Sequence, residues 1–236
     1  MSKDPTRKCQ GCPSRLDGIF CDLSNDLLSD LSSHKVTNKY KKGQTLFVEG
    51  NPTYGLYCIS TGNIKISKMS KDGKERIVRL ATGGDVLGHR SLFTEKYYSA
   101  TATALEDTKV CFIDKIYILK LVQSEPSVAS RLITKLGENL GVSENKIASY
   151  SQRNVFERVA ELLLTLNASH GEVVENGSRI NLILTREEMA SYLGTATETL
   201  IRCLSEIKEN NVITQSGKKI IILDEEKLIE YANIQY

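Results

Sequence analysis

Six cysteines punctuate this 236-residue chain: Cys9, Cys12, Cys21, Cys58, Cys111 and Cys203. The first three form a C-x2-C-x8-C run near the N-terminus. Thiolates at such spacing are soft donors that hold iron–sulfur clusters or zinc, and a C-x2-C pair alone also suits a redox dithiol. The first twenty residues contain no apolar core of a secretory leader, and nowhere do eighteen apolar residues run together. The expectation is a cytoplasmic protein without a membrane span, where structural disulfides are disfavoured. The clustered cysteines then ask for a metal or redox role. On spacing alone, zinc, iron–sulfur and dithiol chemistry all stay open. His34, His89 and His170 are scattered, no Ser/His/Asp or paired-carboxylate group stands out, and GxGxxG and Walker A sequences are absent. An enzyme is not indicated.

A second group of residues with chemistry lies toward the other end. Thr197, Glu198, Ile201 and Arg202 fall on one side of a predicted helix over 197–210, opposite Leu200, Cys203, Leu204 and Ile207. An arginine fork fits guanine O6/N7, and a glutamate accepts from cytosine N4. The competing readings are an i,i+4 surface ion pair between Glu198 and Arg202, and a capping box from Thr195 to Glu198. Context favours base reading. Just upstream, Thr185 and Glu188 form a capping box and Met189, Ala190 and Leu193 give an apolar face. Gly194 then ends that helix. Small Ala190, corner Gly194 and apolar Leu200 are what two closely crossing helices require, so a helix-turn-helix is predicted. The following hairpin carries Lys218 and Lys219 at its expected tip, as a wing that could touch phosphates.

The elements that position these groups follow from pattern. The composition, 40% hydrophobic and 25% charged, is that of a globular protein and excludes disorder. Residues 1–30 read as a cysteine-bearing arm with helical potential over 24–31. Residues 31–125 show short apolar runs between turn signals such as Lys42-Gly43, Thr61-Gly62-Asn63 and Gly83-Gly84-Asp85, which predicts a β-sandwich or barrel. Within it Cys58, in Leu56-Tyr57-Cys58-Ile59, reads as plain core, as does Cys203 on its helix. Residues 126–150 form a long helix whose Val128, Leu132, Ile133, Leu136, Leu140 and Ile147 make an apolar stripe, with Val128, Leu132, Leu136, Leu140 and Ile147 as the expected interface. Packing on its own β-domain is one use of that stripe; pairing with a second copy is the favoured one. Residues 151–236 hold a helix over 155–167, a loop over 171–177, a strand over 180–184 and the winged helix-turn-helix. The fold class is α+β. Net charge is +2 overall, yet residues 151–236 carry nine basic against thirteen acidic residues, net −4. DNA binding by that half must use a local patch, and a single copy should hold DNA weakly.

Together these pieces resemble the CRP/FNR family of bacterial transcription regulators, closest to its oxygen-responsive FNR branch. The resemblance spans nearly the whole chain. It is carried by Lys42-Gly43-Gln44-Thr45-Leu46-Phe47, Ser60-Thr61-Gly62-Asn63-Ile64-Lys65, Tyr192-Leu193-Gly194 and Glu198-Thr199-Leu200-Ile201-Arg202. It implies a jelly-roll sensory domain of the cyclic-nucleotide-binding type, a dimerisation helix and a winged helix-turn-helix. It also implies a homodimer on a palindromic promoter site in double-stranded DNA, with RNA polymerase as a partner. Glu198 and Arg202 become base-contacting residues. The FNR branch implies a [4Fe–4S] cluster on Cys9, Cys12, Cys21 and Cys111 that senses oxygen, with nitric oxide as a second input. An alternative is a small-molecule effector in the barrel, with the cysteines holding zinc or acting as a thiol switch. The cyclic-nucleotide branch binds the phosphate through an Arg-Ser step, and here the step reads Tyr98-Ser99. A buried phosphate without its guanidinium loses its strongest hydrogen bonds, so cyclic nucleotide is not the expected ligand. Ile201 stands where the FNR branch commonly has Ser, which points to a different half-site, with an apolar contact suited to a thymine methyl.

Overall fold

Ser24 opens the first helix: its hydroxyl accepts from the Leu27 N–H, and α1 (Asn25–Ser33) buries Leu28 and Leu31. The computed structural model describes residues 9–94 and 97–234. The first eight residues of the expected arm therefore lie outside the described residues. Two units divide the chain, residues up to Gly141 and residues from Val142.

In the first unit the strands are β1 (Lys35–Tyr40), β2 (Thr45–Phe47), β3 (Gly55–Thr61), β4 (Ile64–Met69), β5 (Glu75–Ala81) and β6 (Val86–Leu87). After helix α2 (His89–Thr94) come β7 (Thr101–Ala104), β8 (Thr108–Asp114) and helix α3 (Lys115–Ser124). They form two four-stranded antiparallel sheets, in the orders β1-β8-β3-β6 and β2-β7-β4-β5. This is a jelly-roll sandwich, with Ile59, Ile64, Ala102 and Val110 in one of its apolar cores. A second core joins arm to sandwich: Ile19, Phe20 and Leu23 pack with Leu28, Leu31, Leu56, Ile113 and Ile118. Glu125 breaks the helix at φ −119° because the residue before a proline is pushed out of the helical region. Helix α4 (Pro126–Gln152) then starts on Pro126.

In the second unit α5 (Val155–His170) begins with a capping box between Asn154 and Glu157. Strands β9 (Gly171–Val174) and β10 (Gly177–Ile180) precede α6 (Arg186–Leu193) and α7 (Thr197–Glu209). Strands β11 (Ile213–Ser216) and β12 (Lys219–Ile222) and helix α8 (Glu225–Ala232) complete the unit. The sheet order is β11-β12-β10-β9. Residues 171–177, expected as a loop, are mostly strand, and the strand expected over 180–184 ends at Ile180 instead. Its partner is β9, where Arg179 faces Glu172 across the ladder at 2.7 Å. That hairpin is largely polar and leaves Val173 exposed, so no apolar alternation marks it in the sequence.

Candidate functional site

The arm is wound by four successive hydrogen bonds three residues apart, from the N–H groups of Cys12, Arg15, Gly18 and Cys21 to the carbonyls of Cys9, Cys12, Arg15 and Gly18. Its first end is fixed where the Cys9 N–H donates to Ser32 Oγ at 2.8 Å. Further on, the Ser14 hydroxyl donates to the Ser60 carbonyl at 2.9 Å. Gly84 (φ +92°) lets the arm come close, since a Cβ there would stand 2.9 Å from the Cβ of Asp17.

Folded this way, the arm closes over a chamber of about 50 Å³, lined by Cys9, Cys12, Arg15, Lys35, Cys58 and Cys111 among others. A single water needs roughly 10–15 Å³, so this is a real chamber and not a packing flaw. Two of the thiols are in contact with hydroxyls: Cys12 Sγ lies 3.6 Å from Ser60 Oγ, and Cys111 Sγ lies 3.6 Å from Thr37 Oγ1. Burial works against the Lys35 ammonium, but the thiols of Cys111, Cys9 and Cys12 outweigh it and raise its pKa above the ordinary value. The expected four-cysteine set is thus brought together in part. Cys9, Cys12 and Cys111 share the chamber; Cys21 is not among the residues lining it. Burial and then neighbouring Asp22 push the Cys21 thiol up, partly opposed by Arg131. Asp22 itself takes the Arg131 guanidinium of α4 at 2.7 Å. Cys58, read from the sequence as core, does pack against the apolar core and also lines the chamber. Among the described residues, no three His, Cys, Asp or Glu side chains converge closely enough to hold a single metal ion.

Inside the sandwich, Tyr98 is buried and stacks on Phe47 with ring centroids 4.1 Å apart, and its hydroxyl accepts from the Tyr54 N–H. Tyr57 joins this aromatic group, 5.3 Å from Phe47 and 5.0 Å from Phe112. Burial, with Tyr98 next to it, drives the Tyr57 phenol well above its ordinary pKa. An aromatic wall occupies the position that the cyclic-nucleotide branch gives to its phosphate-binding arginine.

Along α4 the expected stripe divides. Val128 and Leu132 are buried in the core of their own unit. They are therefore not free to face a second copy, because the arm and α3 already cover them. Leu136, Leu140 and Ile147 are exposed or nearly so, and Ile133 joins them at 69% exposure. Ile133, Leu140 and Ile147 fall seven residues apart, the spacing of one coiled-coil seam position. Positions 137 and 141 are open, with no atom within 4 Å of a Cβ placed there.

In the second unit the capping box of Thr185 and Glu188 forms, and Gly194 closes α6 in the left-handed region at φ 64°. Met189, Ala190 and Leu193 are buried against α7, whose own buried face is Leu200, Cys203, Leu204 and Ile207. The opposite face presents Glu198, Ile201 and Arg202 to solvent, with Thr197 half-buried beside them. The alternative uses of Glu198 are not realised. The cap of α7 is Ala196 with no side-chain hydrogen bond, and no ion pair joins Glu198 to Arg202 among the described residues. Lys218 is exposed in the turn of the wing. Lys219 is not at the tip: it lies half-buried in β12, donating to Asn181 Oδ1 at 2.7 Å. The end of α4 grips the helix-turn-helix corner. The Tyr150 hydroxyl donates to the Tyr192 carbonyl at 2.6 Å, and Lys146 Nζ sits 3.5 Å above the Tyr192 ring.

A jelly roll, a long helix and a winged helix-turn-helix with an open polar face define a DNA-binding transcription regulator. Residues 37–125 match the model of the cyclic nucleotide-binding domain, and residues 157–231 match that of the Crp-like helix-turn-helix domain. The anaerobic regulatory protein of Bacillus subtilis is 30% identical over 202 residues, covering 84% of this chain and 85% of that protein. The CRP-like cAMP-activated global transcriptional regulator of Mycobacterium tuberculosis is 27% identical over 215 residues, covering 91% of this chain and 96% of that protein. The solved structure of FixK2 from Bradyrhizobium japonicum superposes with a TM-score of 0.76 at 24% identity, covering 86% of this chain and 99% of that one. This chain belongs to the CRP/FNR family of transcription regulators, which are not enzymes. No helix among the described residues is long and apolar enough to cross a membrane.

Proposed function

We propose that this chain is a homodimeric, oxygen-responsive regulator whose arm holds a [4Fe–4S] cluster, with Cys9, Cys12 and Cys111 among its ligands. The observation that carries the reading is the meeting of arm and sheet thiols around one chamber beside Lys35. The donor set fits the group: soft thiolates suit iron–sulfur ligation, and Lys35 and Arg15 offset the negative charge that thiolate ligation brings. A lone zinc ion needs four donors at about 2.0–2.3 Å from one point, and the described side chains do not converge in that way. When bound, the cluster supplies an oxygen-labile centre, which is the role it has in the FNR branch. A relative named an anaerobic regulatory protein supports this input.

The chain's own residues would carry the state of the arm outward. Ile19, Phe20 and Leu23 share a core with Val128 and Leu132 of α4, and Asp22 holds Arg131 of the same helix. A seated arm therefore steadies α4, whose exposed Ile133, Leu136, Leu140 and Ile147 would pair with a second copy. At its other end, Tyr150 and Lys146 brace the corner that orients α7. In the dimer two α7 helices would read half-sites one DNA turn apart, with Arg202 on guanine, Glu198 on cytosine and Ile201 on a thymine methyl. Thr197 and Lys218 would contact phosphates, while Lys219 would act mainly through its bond to Asn181. The stacked Tyr98 ring argues against a cyclic nucleotide within the sandwich.

Anaerobic purification tests the reading. The expected protein is brown, with broad visible absorbance and iron and acid-labile sulfide in equal amounts. Colourless protein with zinc or no metal contradicts it and favours the effector-binding alternative.

A further inference from the structure

We propose that Arg158, acting with Tyr150, is a positioning residue for DNA reading: the two side chains hold the open end of α6 and so set where α7 lies. This role rests on base reading by α7 and is independent of the cluster. Gly194 ends α6 in the left-handed region, and the last carbonyls of a helix have no partner within it. At this corner the N–H groups of Thr195 and Gly194 serve the carbonyls of Ala190 and Ser191. The next two, Tyr192 and Leu193, are met from other helices. Tyr150, near the end of α4, donates its hydroxyl to the Tyr192 carbonyl at 2.6 Å. Arg158 of α5 donates from Nη1 to the Leu193 carbonyl at 3.2 Å.

The two donors are themselves joined. The Arg158 guanidinium stands over the Tyr150 ring, 4.7 Å from its centroid, as Lys146 does over Tyr192. Cations at this end also complement the negative pole of the α6 dipole. The base under them is firm, because α5 buries Val159, Ala160, Leu162 and Leu163 and its start is fixed by the Asn154–Glu157 capping box. Beyond the corner, α7 begins at Thr197, only three residues after Gly194. So short a link has little slack, and Glu198, Ile201 and Arg202 move with the corner. A reading surface has to be held within about 0.5 Å of its productive geometry. Non-specific binding makes no such demand, since it draws on phosphate charge alone. Acting through the α6 carbonyls, Arg158 and Tyr150 thus govern how well bases are read without supplying a phosphate contact.

The test uses the full chain purified without air, as wild type, Arg158→Met, Tyr150→Phe and Arg202→Ala. The probes are a duplex selected from a random library by the wild type and a scrambled duplex of equal length. Affinity for each is measured across a salt series, with circular dichroism and a titration of the active fraction to confirm folding; Tyr150→Phe removes a single oxygen and guards against a misfolded Arg158→Met. Binding of the selected duplex is expected to weaken about tenfold or more in Arg158→Met and about two- to tenfold in Tyr150→Phe. Affinity for the scrambled duplex and the salt slope are expected to stay at the wild-type values. Equal losses on both duplexes, failure of either variant to lose affinity for the selected duplex, or a slope reduced by about one unit per missing phosphate contact overturns the inference. Arg202→Ala separates it from base reading by α7: loss of preference for the selected duplex is expected there, and its retention overturns both.

Discussion

The two units build their working surfaces in opposite ways. In the second, the surface comes from some eighteen consecutive residues: Thr185 and Glu188 start α6, Gly194 turns the corner, and α7 presents Glu198, Ile201 and Arg202. In the first, the chamber gathers Cys9, Cys12, Lys35, Cys58 and Cys111 from the arm and three strands. Capping and glycine geometry fix a local surface nearly independently of its surroundings. A gathered surface depends on the whole unit's packing, and therefore can report on that packing. The contrast suits the proposed function, which needs a robust reader and a sensor whose parts come apart together.

Perturbations should separate the two. The largest effect is expected for Cys111→Ala, which removes a thiol from a rigid strand: iron binding and oxygen-responsive DNA binding should be lost, while the helicity of the full chain by circular dichroism stays. Leu28→Ala empties a fully buried site under the arm. It should cost about 2–5 kcal/mol in denaturant unfolding of the first unit and leave the second unit's transition in place. A single shared shift of both transitions would break the comparison.

Acid should also act on the first unit. Burial, then Arg79, holds His89 at a pKa of about 4. Between the ordinary value of 6.5 and 4 the folded state binds fewer protons at this site than the unfolded chain, so stability falls as pH falls through that window. The full loss is about 3 kcal/mol at 1.36 kcal/mol per unit. Thermal melts from pH 7 to pH 4 should show it, and His89→Gln should flatten the slope. Arg202→Ala should weaken specific DNA binding by about 1–3 kcal/mol, roughly fivefold to 150-fold, and relax preference at one base pair in competition assays. The smallest change is expected for Thr185→Ala, about 1 kcal/mol of stability lost from the second unit by removal of the α6 cap.

The same contrast explains what could be read before the structure. The capping box of Thr185 and Glu188, the corner at Gly194 and the buried face of α7 are written in residues close together in the chain, and the helix-turn-helix was legible for that reason, whereas the caps at Ser24 and Asn154, though equally local, went unread. The β-domain was legible from its turn signals as a class, but not in its register. Cys58 packs on the core as its strand pattern says, but that it also faces the chamber follows from its pairing with Cys111, between strands more than fifty residues apart. No local signal marks Lys35 as a chamber residue. Val128 and Leu132 carry the same helical spacing as Leu140 and Ile147, and only the packing of the arm decides which face inward. The polar β9–β10 hairpin and helix α8 went unread, although Asp224 accepting from the Lys227 N–H is an ordinary cap. Lys219 was misplaced by a turn shorter than expected, which drew it into the strand.

On the proposed function, the state of the cysteine chamber governs DNA binding through α4. This dependence is tested most directly by measuring promoter-site affinity and oligomeric state on one anaerobic sample before and after exposure to air, with iron content followed throughout. A dimer that binds tightly while iron is retained is expected, with a loss of affinity in step with iron release and dissociation to monomers. Affinity and dimerisation that stay unchanged as the iron is lost would contradict it.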